Sequence, residues 1–521
     1  MFSGAAVKNG TRSESMDRAA ERSARGNAAA TCALGNAFPG AEPYARMLLP
    51  QDRLVRETPG ALNVFPYSER HLQCVWADGQ HRPSILHASD GAEVRVLDPG
   101  RWNLEAGPDF LDACLVVEPG HRHLRGDVEI HVRPSDWEHH AHGGDSRYAN
   151  VAAHVCFSAG ALPAGSLPPG ALQISLRKDL LANTAFSFEN IDVTAYPFAR
   201  PPDRVLPCAA ILARWPPSGQ AALLNAAGEE RLRRKALRMR ADIAERGAEQ
   251  TLYEDLLTAL GYKHNRGAFR LLARTVPVAA LREQSGDDPA AAYAILLGVA
   301  GLLPAQIETR WDEGTSAFVR SLWDHWWKRR SAWDRLVLQP AAWRLSSLRP
   351  HNHPVRRLAA AAGLFTGRSP LVEELPRLSA ADPAEWFCQA RALLDPPAAL
   401  PYWQNRLSFG GRRQKVEIAL LGEGRLAAVL SNVVVPFLAA TGWPIAPLLP
   451  LLPAEEDNSL IRHTAHSLFG RDHNPAEYHD GLKQQGLLQI FHDFCLNNRS
   501  ACADCALRPA LADSGTPAAT R

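Results

Sequence analysis

Apolar and polar residues alternate along three segments between residues 91 and 134, and a period of two predicts strands. GAEVRVLDPG (91–100) ends on the turn pair Pro99-Gly100, FLDACLVVE (110–118) follows, and LRGDVEIHVRP (124–134) is the third. NVAAHVCF (150–157) forms a fourth after the Gly143-Gly144 break. Ahead of them, SERHLQCVWADG (68–79) collects Leu72, Val75 and Trp76 on one side of a helix. Between the third and fourth strands, Ser135-x-x-Glu138 has the form of a capping box that opens a second helix. The predicted order is α-β-β-β-α-β.

The pattern changes near residue 200. Prolines at 197, 201, 202, 207, 216 and 217 punctuate the chain, and beyond them apolar residues recur at helical spacing. LNAAGEERLRRKALRMRADIAER (224–246) and EQTLYEDLLTALGY (249–262) are examples. The fold class predicted is α+β. Residues 1–42 read as a polar, disordered segment without a signal-peptide core, and 43–200 as an α/β domain. Residues 218–505 read as a helical domain and 506–521 as a disordered tail. The Trp311–Trp343 stretch reads as helical core, and Leu426–Trp443, interrupted by Ser431, Asn432, Pro436 and Gly442, as a buried helix and not a membrane span.

Composition narrows the function classes. With 57 basic and 55 acidic residues in 521, the net charge of +2 excludes a globally polycationic nucleic-acid binder. Only seven of the basic residues are lysine, a bias that a GC-rich genome produces without functional cause. No P-loop, dinucleotide glycine motif, GxSxG elbow or HExxH is present, so no nucleotide cofactor is expected.

Chemistry concentrates on the third strand. Val128, Ile130 and Val132 face one way, and Asp127, Glu129, His131 and Arg133 the other. Asp109, at the start of the preceding strand, falls beside Glu129 and His131 in a meander. Two neighbouring carboxylates raise each other's pKa unless a cation lies between them, and oxygen ligands of this kind suit Mg²⁺ or Mn²⁺. A second grouping uses His142, Asp145 and His154 around His131 as a transition-metal site, while His139 and His140 read as a polar helix end.

This arrangement resembles the PD-(D/E)XK phosphodiesterase superfamily, in which an Asp precedes a Glu-x-Lys strand and an acidic residue stands on the first helix. The matching residues are Asp109 in GPDF, Glu129 and His131 in GDVEIH, and Glu69. His131 stands where lysine is usual, so it serves as base or ligand and not as a fixed charge. The resemblance implies a Mg²⁺- or Mn²⁺-dependent nuclease acting on DNA or RNA; the alternative is a non-catalytic nucleic-acid-binding or scaffold protein with an inherited fold. From about residue 55 to 506 the chain also resembles the bacterial DUF2851 family, which brings no established activity. That resemblance rests on PGRWNLEAGPDFLDA, GDVEIHVRPSDWEHHAHGGD, NVAAHVCF, LGYKHNRGAFRLLA, LRPHNHPVRRLA and GLLQIFHDFCLNNRSACADC.

Cys32, Cys74, Cys114, Cys156, Cys208 and Cys388 read as reduced small hydrophobes, which implies a cytoplasmic protein. Cys495, Cys502 and Cys505 instead form C-x6-C-x2-C, a spacing of ligands for Zn²⁺ or an iron–sulfur cluster. It resembles the first three cysteines of the iron–sulfur loop in endonuclease III-type DNA glycosylases, with Leu511 where the fourth would stand. His492 is the nearest candidate to complete the set, with His473 or a distant side chain as alternatives. Arg231, Arg234, Lys235 and Arg238 share one helix face that could track phosphates, and charge recurs in GGRRQK (410–415).

Overall fold

The alternating segments of the N-terminal third join one seven-stranded sheet in the computed structural model. The structure describes residues 37–514, except 56–66, 184–185, 199–204, 263, 347, 380, 396–399, 456–458, 497–501 and 503–504. The strands are β1 (Leu86–His87), β2 (Glu93–Asp98), β3 (Arg101–Trp102), β4 (Phe110–Glu118), β5 (Arg122–His131), β6 (Val151–Cys156) and β7 (Leu172–Ser175). Their order is β1-β2-β4-β5-β6-β7, with β3 also on β4; the pairs through β4–β5 are antiparallel, and β5–β6 and β6–β7 are parallel.

Period-two alternation governs β5 as expected. Val128 and Ile130 are buried with Val94, Leu115, Ala153 and Val155 on the face covered by Leu72, Val75 and Trp76 of helix Glu69–Ala77. Glu129 pairs in register with His154, and His131 with Cys156, on the opposite face. The pairing with β6 shifts register between Asp127 and Val128, where β6 carries the extra residue Ala152.

A parallel neighbour requires the chain to cross over before it can re-enter the sheet. Between β5 and β6 the crossover is one helical turn, Asp136–His139, and two 3₁₀ turns, His142–Gly144 and Ser146–Tyr148. The expected capping box does not form. Ser135 already has helical backbone angles and makes no capping bond, while Asp136 accepts the Arg133 N–H at 2.8 Å and Glu138 accepts from Ser166. The crossover lies over the Glu129–His131 face, held by Trp137, whose indole donates to the Ser166 carbonyl.

The core boundaries do not follow the change of texture near residue 200. One core belongs to the middle helices, including Ala248–Leu260, Pro289–Val299 and Pro354–Phe365. The other joins the sheet to helix Pro207–Leu212, to Leu223, Leu224, Ala226 and Ala227 of the long helix Pro217–Arg246, and to helices Ser459–Phe469, Gly481–Ile490 and Leu507–Ser514. Two glycines make the long crossing: a Cβ on Gly228 would strike the Leu482 carbonyl, and one on Gly486 the Leu224 carbonyl.

Described structure begins before residue 43 and continues beyond residue 505. Phe38 and Ala41 are buried and helix Ala41–Val55 follows, whereas residues 1–36 lie outside the described part. The expected disordered tail contains helix Leu507–Ser514, with Leu507 and Leu511 buried; 515–521 lie outside the described residues. Among the described residues, Glu423–Ala440 alone is apolar and long enough to cross a membrane, and 72% of it is buried inside the protein.

Candidate metal centre

A cleft of about 420 Å³ opens between the sheet, helix Glu69–Ala77 and the C-terminal helices. Asp109, Glu129, His131 and Glu69, remote from one another in sequence, all line it. Asp109 and Glu129 meet through the backbone: Asp109 donates its N–H to Glu129 Oε2 at 3.0 Å. The Asp109 carboxylate then accepts the Ile130 N–H on Oδ2 at 2.9 Å and the Gln73 amide on Oδ1 at 2.8 Å. Each of its oxygens thus accepts a protein donor, bonds that tie it to β5 and to helix Glu69–Ala77 beside Glu129.

The donors that converge are mostly imidazoles. His131 Nε2 lies 3.1 Å from His140 Nδ1, 3.3 Å from His142 Nε2 and 3.4 Å from Glu129 Oε1. His142 Nε2 is also 3.4 Å from that oxygen. A tetrahedral metal with bonds of about 2.0–2.1 Å places its ligand atoms about 3.3–3.4 Å apart. One His131 nitrogen facing three polar atoms cannot satisfy them all with a single proton. Among the described residues, His131, His140 and His142 each offer a nitrogen within 4.8 Å of the other two, a grouping that could hold a metal ion.

The electrostatics agree with a ligand set. Burial, then His154, His140 and His142, lowers the His131 pKa to about 2, and burial lowers His140 and His142 also. All three rings are therefore neutral at pH 7, the state that binds a metal. Glu129 is pushed well above the usual carboxyl value, by burial first and then by Glu69. Behind the ligands, His154 Nε2 is 2.9 Å from His131 Nδ1 and orients that ring, while Tyr148 stacks on His142 with centroids 3.9 Å apart.

Other expected site residues have different places. Asp127 accepts the Asp112 N–H at 3.1 Å, where β4 carries an extra residue against β5. Asp145 does not serve the His131 group; it grips Arg147 through both oxygens and caps the Ser146–Tyr148 turn. His154 is fully buried behind His131 and is not one of the converging donors. His140, read from the sequence as a polar helix end, stands among the converging donors with His131 and His142. The crossover delivers it, and the run His139-His140-Ala141-His142 beside Glu129-x-His131 was the available signal.

The side chains of the cationic helix face are engaged by protein partners, with Arg234 exposed and Arg231, Lys235 and Arg238 half-buried. Arg231 donates to Gln485, Arg234 pairs with Glu230 and Asp493, Lys235 reaches Asn432 and Gln485, and Arg238 pairs with Asp242 and Asp255. Helix Gly481–Ile490 covers that face, so the charges hold helices together. His492 does not complete the cysteine set. Its ring lies among Arg231, Asp192, His71 and Lys235, and burial, followed by Arg231, lowers its pKa to about 3. His473 is bound to Tyr478 and the Gly470 carbonyl.

No curated protein and no solved structure matches the chain. Residues 69–444 match the family model described as "Protein of unknown function (DUF2851)", a span that holds the sheet, every converging ligand and most of the middle helices. The chain belongs to the DUF2851 family.

Proposed function

We propose that the cleft is a metal-dependent hydrolytic centre acting on phosphodiesters, a nuclease of DNA or RNA that works in the cytoplasm. The observation that carries this reading is the convergence of three neutral imidazoles, His131, His140 and His142, on the wall of an open cleft, with the buried Glu129 carboxyl against two of them. The nitrogen-rich set favours a transition ion such as Mn²⁺, Fe²⁺ or Zn²⁺ over Mg²⁺, whose preference is for oxygen. Such a cation supplies Lewis-acid stabilisation to charge developing on a phosphate oxygen.

The remaining work falls to the chain. Glu129 and His131 stand at the positions expected from a PD-(D/E)XK-type core, and the helix, antiparallel meander and parallel fourth strand are consistent with one. Two features depart from it: His131 replaces lysine, and the crossover helix is a single turn. Glu69, close enough to raise the Glu129 pKa, is the carboxylate placed to take a proton from the attacking water. Arg70 lines the same cleft and brings positive charge to a phosphodiester.

The test is cleavage of mixed DNA and RNA substrates with Mn²⁺, wild type against Glu129→Ala and His142→Ala. Loss of at least about 100-fold in each variant is expected for a cation-supported transition state. Undiminished cleavage by Glu129→Ala would remove Glu129 from the mechanism. Metal binding with no turnover of any substrate would favour the non-catalytic alternative.

A further inference from the structure

We propose that Cys208, Cys495, Cys502 and Cys505 form a four-thiolate metal centre, filled by Zn²⁺ or an iron–sulfur cluster, in which Cys208 is the ligand missing from the C-terminal motif. Zinc sites of this kind and iron–sulfur clusters take four protein ligands, and C-x6-C-x2-C offers three. Its sequence neighbours His492 and His473 are engaged elsewhere.

Packing brings in the fourth from almost 300 residues upstream. Helix Pro207–Leu212 lies against both Leu507–Ser514 and Ser459–Phe469, and Cys208 is its second residue. Cys505 stands two residues before Leu507, and Cys495 closes the π-helical turn Phe491–Cys495, a distortion that recurs at functional sites. Cys208, Cys495 and Cys505 pack against the same core, and none of the four is in a disulfide.

The thiols also feel one another. Burial first, then Cys505 and Cys502, raises the Cys208 pKa to about 12, and burial followed by Cys505, Cys208 and Cys502 raises that of Cys495. Arg508 opposes this at Cys208 and supplies positive charge beside the centre. The location gives the site a role. Cys495 and Leu496 line the candidate cleft, so the centre ties the start of the helical region to the C-terminus and braces one wall of that cleft.

Full-length protein is loaded with Co²⁺, whose thiolate charge-transfer absorption in the near ultraviolet is not produced by the imidazole centre. That band is expected in wild type, His131→Ala and His492→Ala, and is expected to weaken in Cys208→Ser. Zinc analysis, together with iron, acid-labile sulfide and visible absorption of protein purified or reconstituted without oxygen, separates the two fillings. Should Cys208→Ser fail to fold, alkylation of the loaded wild type decides. Cys208, Cys495, Cys502 and Cys505 should be protected while exposed Cys388 reacts, and metal release should open all four. Absence of the charge-transfer band from wild type, its persistence unchanged in Cys208→Ser, or alkylation of Cys208 as fast as Cys388 in loaded protein overturns the proposal.

Discussion

Replacing Glu129 by glutamine separates the cost of its charge from the bonds it makes. The glutamine carbonyl keeps the bond from the Asp109 N–H, 3.0 Å in wild type. Its amide replaces Oε1 and donates toward Nε2 of His131 or His142, each 3.4 Å from that oxygen. What disappears is a buried carboxyl group whose charged form is disfavoured by burial and then by Glu69. Each unit of the resulting pKa rise corresponds to about 1.4 kcal/mol at a pH where the group is ionised. The variant is therefore expected to be roughly 1–3 kcal/mol more stable than wild type at pH 7 in chelator.

The sign of the pH dependence follows from the same shift. A carboxyl raised in the folded state contributes stability below its unfolded pKa and loses it as pH rises through the folded value. The advantage of Glu129→Gln should therefore grow upward from about pH 4.5. His131 and His154, lowered to about 2 and about 4, act oppositely: their stability is lost as pH falls below about 6.5 toward those values. Both proteins share these rings, so the difference between them isolates Glu129. With Mn²⁺ at a hundred times its Kd, wild type should gain about 2.7 kcal/mol and the variant far less. Denaturant unfolding across pH, with chelator and with Mn²⁺, measures all of this. A variant less stable in chelator, with an undiminished Mn²⁺ gain, would refute the reasoning.

Further expectations follow from the packing around the site. His140→Ala and His142→Ala should each weaken Mn²⁺ binding by calorimetry more than His154→Ala, where loss of an orienting partner costs about 10–100-fold. Gly228→Val or Gly486→Val forces a side chain into a facing helix carbonyl, and denaturant unfolding should register a loss of at least about 1–3 kcal/mol. Glu230→Ala strips Arg233 and Arg234 of a carboxylate at 2.7 and 2.8 Å. Because Arg234 is 42% exposed, the expected loss of stability is only roughly 1–2 kcal/mol in the same assay.

Local pattern was enough to locate the elements that carry the site. Alternation along residues 124–134 placed Val128 and Ile130 in the core and Glu129 and His131 opposite them, and the helical pattern put Leu72, Val75 and Trp76 against the sheet. A strand's faces and a helix's apolar side are set by bond geometry within a few residues. Such features are legible without a tertiary fold.

The ligand set and the use of charge were decided by contacts between distant segments. His140 joins His131 only because the crossover folds over β5, and Asp127 accepts the Asp112 N–H only because β4 carries an extra residue opposite it. Arg231, Arg234, Lys235 and Arg238 form a cationic face in one helix, but the Gly228–Gly486 crossing brings Gln485 to Arg231 and Lys235 and Asp493 to Arg234, while Arg238 pairs with Asp242 and Asp255. Cys208 reads as an isolated hydrophobe until helix Pro207–Leu212 is packed against the C-terminal helix. Sequence by itself determined which side chains each element could offer. Packing across tens to hundreds of residues, which no local period encodes, determined which of them meet.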